Sequence, residues 1–202
     1  EDYRKVDGKP LGEKKVWLAD DYVKFIRFGQ WRIERSGQGV LGFITNHGYL
    51  DNPTFRGMRR SLMNSFTDIC AFDLHGSSKK KQKPPQGGVD NNVFDIQQGV
   101  AIGLFVKEPN NVTAVTVRHS ELWGTRENKY QCLYETDVAS TKWRKVPLNP
   151  PYYFFIPRKE VYLDEYQVGW SIPDAFLLSN SGVITARDQF VLDFDKRNCA
   201  SA

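Results

Sequence analysis

The stretch VLGFITNHGYLDNPTFRGMRRSLMNSFTDICAFDLHG, residues 40–76, decides how this chain folds. Val40 to Asn46 is an apolar run too short for a helix and well suited to a buried strand. The polar segment HGYLDNPT follows, and its Pro53 and Thr54 open a helix that runs to Met63 or Phe66, because proline is tolerated in a first helical turn and nowhere deeper. Asp68 to Gly76 is a second compact apolar run, closed by a glycine. Strand, helix and strand in that order predict a βαβ unit with the helix packed on a sheet.

Working outward, Leu18, Tyr22, Phe25, Ile26 and Ile33 recur at helical spacing over Leu18–Arg35, with Asp20 or Asp21 at the start and Gly37 and Gly39 at the stop. Downstream, SSKKKQKPPQGGVDNN is polar, basic and rich in Pro and Gly, so it reads as a loop. VFDIQQGVAIGLFVKE and VTAVTVRHS read as two strands turning at Pro109-Asn110-Asn111, which predicts an antiparallel hairpin closing a mostly parallel sheet. Beyond Glu121 come a helix near Arg126–Tyr134, a proline-rich stretch, and SIPDAFLLSNSGVITARDQFVLDFD, with one helix-like and one strand-like half. The chain contains no internal repeat.

The 202 residues, 40% apolar and 13% aromatic, suffice for one core with an appendage. A formal charge of +4 permits an anionic partner without demanding one. Cys70, Cys132 and Cys199 are odd in number and far apart, against a disulfide framework or zinc knuckle and in favour of a reducing compartment. No apolar run approaches the roughly 18 residues of a membrane span, and EDYRKVDGKP lacks the apolar core of a signal peptide. A cytoplasmic protein without membrane association is expected, and the absence of an initiator Met suggests a piece of a longer chain.

Two motifs mislead. Gly37, Gly39 and Gly42 have literal GxGxxG spacing, but the dinucleotide fingerprint needs a strand before the glycines and a helix after them. Here the order is reversed, so they read as a helix cap and turn. LNPPYYFF, Leu148–Phe155, contains the Asn-Pro-Pro-Tyr string that amino-methyltransferases use to polarise the exocyclic amine of a flipped base. That chemistry needs a loop at the carboxyl end of a buried strand, and ASTKWRKVPL upstream has no such strand. Asn149, Pro150, Pro151 and Tyr152 therefore read as a decoy, a proline-stiffened loop entering an edge strand.

The remaining chemistry is sparse. His47, His75 and His119 show no ligand spacing, so no metal is expected. Asp20 and Asp21 more simply oppose a helix dipole than serve as a base, and no nucleophile elbow is present. Lys79, Lys80, Lys81, Lys83, Arg118, Arg126 and Lys129, with Arg56, Arg59 and Arg60, form a set that could hold a phosphate backbone if one face gathers them.

The strings LADDYVKFIRFGQWRIERSGQGVLGFITNHGYLDNPTFRGMRRSLMNSFTDICAFDLHG and NNVFDIQQGVAIGLFVK resemble the later half of the methyltransferase domain of adenine-specific N6 DNA methylases. The likeness extends to large single-chain restriction-modification enzymes, and PYYFFIP, EYQVGWSIPDAF and SNSGVITARDQFVLDFD continue it. The resemblance implies an α/β fold: the second half of a Rossmann-like sheet ending in an antiparallel hairpin over residues 1–119. A mixed α+β connector and the start of a target-recognition region follow over residues 120–202. It also implies a parent enzyme that flips adenine from double-stranded DNA and methylates N6 from S-adenosylmethionine.

The family's glycine-bearing cofactor loop and its own Asn-Pro-Pro-Tyr loop have no match here. The isolated chain is thus expected to be inactive, to bind no cofactor, and to need the remainder of the methyltransferase domain as partner. Phe94 looks like the aromatic that in this family packs on the extruded base, a reading its neighbours Asp90, Asn91 and Asn92 favour over ordinary strand core. The loop Thr45–Asp51 faces the same cleft without assigned chemistry. Two other readings stay open: a non-catalytic DNA-binding module, and a rearranged enzyme using Asn149–Tyr152.

Overall fold

The computed structural model describes residues 2–12, 16–80, 83–110, 113–158, 165, 168–170 and 172–176. Two compact units divide the chain at Arg158 and Lys159. In the second unit the described residues include one short helix, Ile172–Ala175, and most of SIPDAFLLSNSGVITARDQFVLDFD lies outside the described residues.

The first unit carries strands β1 (Lys5–Val6), β2 (Lys9–Pro10), β3 (Gly39–Asn46), β4 (Asp68–His75), β5 (Val100–Lys107), β6 (Thr116–Glu121) and β7 (Arg144–Lys145). Its helices are α1 (Asp21–Ser36), α2 (Gly48–Asp51), α3 (Arg56–Ser65) and α4 (Arg126–Glu135). β1 and β2 form a small antiparallel pair, and the other five build a mixed sheet in the order β3-β5-β4-β6-β7. The protein is mixed α/β.

The helices begin and end where the sequence signals lie. Gly37 ends α1 in the left-handed conformation, its amide bonded to Ile33 O at 2.9 Å. Gly37 is the cap, whereas Gly39 and Gly42, expected in the turn, lie in β3 and pair with Lys107 and Leu104. Pro53–Phe55 forms a 3₁₀ turn, with the Asn52 side chain accepting from Thr54 N, and feeds α3. Thr125 caps α4 by accepting from Asn128 N at 3.3 Å.

Strand order is where local pattern and tertiary structure part. β3 and β4 run parallel with helices between them, as expected, but β5 fills the slot between the two and is antiparallel to both. β5 and β6 are not a hairpin: β4 separates them and pairs parallel with β6. The predicted hairpin is corrected accordingly. Glu108 to Val115 is long enough to step across one strand at about 4.8 Å per strand, so the Pro109-Asn110 turn does not force its flanks to pair. β5 also starts at Val100, later than Val93. Likewise Tyr152–Pro157 forms no edge strand, because its backbone is taken up elsewhere: Phe155 N donates to Leu50 O at 2.9 Å.

The sheet has apolar layers on both faces. α1, α2 and α3 pack Val23, Ile26, Tyr49, Leu50, Met58 and Leu62 on Ile69, Ala71, Ala101, Phe105 and Val117. The alternate residues of β4 and β5, among them Phe72, Leu74 and Ile102, cluster with Val93 and α4 Leu133 on the opposite face. Through α4 and β7, residues 120–158 belong to the first compact unit. On α1 the expected inward Phe25 is 62% exposed, whereas Gln30 is fully buried. Gln30 accepts from Tyr3 Oη (2.7 Å) and donates to Ser65 Oγ (2.6 Å), tying the N-terminal strap and α3 to α1. Among the described residues no helix is long and apolar enough to cross a membrane.

Candidate functional site

Because β3, β4 and β6 are mutually parallel, their carboxyl ends fall at one edge of the sheet, where open α/β sheets bind ligands. Asn46 and His75 both lie opposite Val100 on β5, and Asp73 lies opposite Glu121 on β6. A register shift between Asp73 and His75, with His75 at φ 51°, turns both side chains into one buried network. Asp73 Oδ1 accepts from the His75 backbone N–H at 2.9 Å and meets His47 Nδ1 at 2.9 Å. His75 Nδ1 lies 3.5 Å from Asp73 Oδ2, and its Nε2 lies 3.1 Å from Glu121 Oε2. The Trp123 ring stacks on His75 with centroids 3.4 Å apart. His47 fits over the start of β5 only because residue 99 is Gly: a Cβ there would lie 2.4 Å from the imidazole.

Burial and the buried partners set the electrostatics together. It pushes the His75 and His119 imidazoles below their ordinary values, against the pull of Asp73 and Glu121. For Asp73, burial favours the neutral acid, but the His47 hydrogen bond and the nearby imidazoles overcome it and hold the carboxyl below its usual range. Beside the network a cavity of about 400 Å³ is lined by Pro84, Pro85, Val89, Glu121, Trp123 and Gly124. A larger cavity of about 620 Å³ lies between the N-terminal strap and α1, where Arg27 is already paired with Asp2 and Glu34.

The Phe94 loop closes the same edge. Asn92 donates to Gly76 O (3.2 Å) and Gln98 O (2.6 Å), and its Oδ1 accepts from Phe94 N (2.9 Å). Arg126 donates to Asn92 O (2.8 Å), Phe94 O (3.1 Å) and Asp95 (2.7 Å). Val93 is buried beneath, while the Phe94 ring stays 43% exposed. The ring is thus an outward platform on a braced backbone rather than strand core.

The expected backbone-binding set disperses. Lys129, anticipated as a phosphate contact, is instead fully buried and donates to Leu74 O, Asp90 Oδ1 and Asn91 O at 2.6–2.7 Å. Its ammonium is enclosed by these acceptors and cannot meet a phosphate in this conformation. Arg126 braces the loop, and Arg118 pairs with Asp68 at the amino end of β4. Lys79 and Lys83 are exposed in the β4–β5 connection, Lys80 reaches Asp51 at 3.1 Å, and Lys81 lies outside the described residues. Arg56 donates to Leu11 O, Arg60 to Asp7, and Arg59 is buried among backbone carbonyls.

Asn149–Tyr152 follows β7, a two-residue strand antiparallel to β6, which therefore leaves the sheet at the amino ends of β4 and β6. Asn149 O accepts from Tyr153 N at 2.9 Å, and Tyr152 O accepts from Arg59. Spacing within the sequence missed the histidine network. A signal was present all the same: both predicted parallel strands end in His-Gly, at His47-Gly48 and His75-Gly76, so parallel pairing brings the two rings to one edge.

No family model matches the chain, and no curated protein matches it. Among solved structures, the ATP-dependent Type ISP restriction-modification enzyme LlaBIII bound to DNA superposes with a TM-score of 0.68 at 25% identity, covering 90% of this chain and 13% of that one. A nuclease-deletion mutant of the Type ISP enzyme LlaGI with a DNA substrate mimic gives 0.68 at 23% identity, over 90% of this chain and 17% of that one. The DrdV–DNA complex gives 0.59 at 21% identity, over 69% of this chain and 14% of that one. The chain therefore spans less than a fifth of the length of each of these proteins.

Proposed function

We propose that this chain is part of a site-specific adenine-N6 DNA methyltransferase of a restriction-modification system, and that it supplies the wall against which a flipped adenine rests. The observation that carries the reading is Phe94: a half-exposed aromatic ring on a loop braced by Asn92 and Arg126, at the carboxyl edge of three parallel strands. Stacking on such a ring recovers about 1–3 kcal/mol of the unstacking cost of an extruded base. The likeness to DNA-bound restriction-modification enzymes and the sequence resemblance to N6-adenine methylases support it.

In this reading the sheet is the later half of a Rossmann-like methyltransferase sheet, and S-adenosylmethionine belongs to the remainder of that domain. Lys79, Lys80, Lys81 and Lys83 are the residues best placed in the sequence to meet phosphates. Asn149–Tyr152 acts as a structural strap, held through Tyr152 O by Arg59.

The test is to incubate the chain, and its Asn149→Ala variant, with labelled S-adenosylmethionine and duplex DNA, and to follow binding to duplex carrying 2-aminopurine. We expect no methyl transfer from either, salt-dependent duplex binding, and a 2-aminopurine signal that weakens in Phe94→Ala. Transfer abolished by Asn149→Ala would make LNPPYYFF an active site and overturn the reading. Duplex binding insensitive to Phe94, with no S-adenosylmethionine dependence in the longer protein, would favour a non-catalytic DNA-binding module.

A further inference from the structure

The histidine network holds an arrangement that the proposed base-stacking role leaves unexplained. His75 Nε2 faces the Glu121 carboxylate at 3.1 Å, a closer contact than Nδ1 makes with Asp73, which favours the tautomer with the proton on Nε2 and a lone pair on Nδ1. That lone pair points toward Asp73 Oδ2 at 3.5 Å, and the buried Nδ1 has no hydrogen-bond partner. Asp73 Oδ1 is already engaged by His47 Nδ1 and the His75 amide, whereas Oδ2 faces the imidazole. Two electron-rich atoms facing each other in a dry site repel unless a proton or a metal cation lies between them.

We infer that His47, Asp73 and His75 form a binding site for one divalent transition-metal ion, independent of the proposed methyltransferase role. The donor set is two imidazoles and one carboxylate, all buried, with ligand atoms within 4.8 Å of one another. Zinc–nitrogen and zinc–oxygen bonds of about 2.0–2.1 Å set neighbouring donors of a tetrahedron about 3.3 Å apart. His47 Nδ1 lies 2.9 Å from Asp73 Oδ1 and His75 Nδ1 lies 3.5 Å from Asp73 Oδ2, so each imidazole faces its own oxygen of the carboxylate at a spacing near that value.

Ligation through His47 Nδ1 requires the ring proton to sit on Nε2, because metal and proton compete for the same lone pair. Glu121 is the positioning residue: it holds the His75 ring by Nε2 so that Nδ1 faces the ion, as outer carboxylates do for metal-bound histidines. The absence of a side chain at residue 99 is the steric condition that lets His47 reach across β5. Bound there, the ion joins the end of β3 to the end of β4, two strands that share no ladder of their own. Imidazole with carboxylate favours Zn²⁺, Fe²⁺, Co²⁺ or Ni²⁺ over Mg²⁺ and Ca²⁺, which prefer oxygen-only shells.

The chain, stripped with chelator, is titrated with Zn²⁺ by calorimetry and with Co²⁺ by its visible ligand-field absorption, with thermal unfolding recorded in each form. The expected result is one saturable ion per chain, a Co²⁺ spectrum of low coordination number, and a higher unfolding temperature. His75→Ala and Asp73→Ala abolish uptake, Glu121→Gln weakens it about 10–100-fold, and His119→Gln, on a neighbouring buried imidazole outside the donor set, leaves it unchanged. Absence of saturable 1:1 uptake by the unaltered chain overturns the site. So does uptake that persists in His75→Ala, or that depends on His119 instead. The unaltered chain's titration decides the matter even if a variant fails to fold.

Discussion

Arg59, fully buried on α3, donates to the Tyr152 carbonyl oxygen twice, from Nε at 2.9 Å and Nη2 at 2.8 Å. Its Nη1 adds Tyr49 O (2.7 Å) and Asn52 O (3.0 Å), so three carbonyls from α2, its exit and the Asn-Pro-Pro-Tyr strap share one guanidinium. Burial pulls its pKa down to about 9, eased by the charge of Asp51, which leaves it cationic at neutral pH. Replacement by Met fills the space but strands those acceptors, each costing about 1–3 kcal/mol. Arg59→Met should lower stability in urea unfolding by about 3–5 kcal/mol, and free the strap for early proteolysis.

Gly57 tests a conflict between local and tertiary preference. Alanine would gain about 1 kcal/mol of helix propensity, yet its Cβ would stand 2.5 Å from both the Tyr3 and Lys5 carbonyl oxygens. Those are backbone atoms, so the N-terminal strap must shift. Gly57→Ala is expected to lower the unfolding temperature and to speed cleavage near residues 2–12. An unchanged or higher value would show that the strap contributes little.

His119 gives the fold a defined acid sensitivity. Its ordinary value of 6.5 is lowered by burial, against the attraction of Asp73 and Glu121. Below pH 6.5 the unfolded chain therefore takes up a proton that the folded chain refuses until its own lower pKa, so stability is full above that range and declines within it. In the presence of chelator, urea unfolding at pH 7.5 and pH 5.5 should show a larger loss for the unaltered chain than for His119→Gln. Equal losses would mean that the imidazole charges freely in the folded state.

The Phe94 loop separates stacking from folding. Phe94→Ala removes a half-exposed ring and should leave the unfolding temperature almost unchanged, while weakening duplex binding about 10–100-fold if the ring supports an extruded base. Arg126→Ala keeps the ring but removes its brace at Asn92 O and Phe94 O. It should blunt the 2-aminopurine response more than it reduces overall affinity.

The β4–β5 connection carries the proposed phosphate-binding lysines. Replacing Lys79, Lys80 and Lys83 with Ala should flatten the dependence of log affinity on log salt, by about 0.9 for each phosphate no longer neutralised. A slope unchanged by all three would move the phosphate-binding face elsewhere.

What could be read from sequence is what neighbouring residues settle among themselves. α1 and α3 announce themselves by apolar period and by the punctuation of Asp20, Gly37 and Pro53, since capping and turn chemistry act within a few residues. β3 and β4 are legible as apolar runs, and the GxGxxG string could be set aside because its surroundings run in the wrong order.

Tertiary structure alone decided which strands became neighbours, because an apolar run says that a strand forms and not beside what: β3, expected to be buried, is an edge strand with Val40 and Ile44 exposed. β5 therefore went between β3 and β4, β6 went to β4, and the apparent hairpin dissolved. The same long-range choice placed His47 beside Asp73 and His75, buried Gln30 instead of Phe25, and turned Lys129 and Arg59 inward to satisfy backbone acceptors that no local pattern reveals. Composition could offer these charges as a surface. Only packing, where each buried polar atom must find its partner, assigned them to the interior.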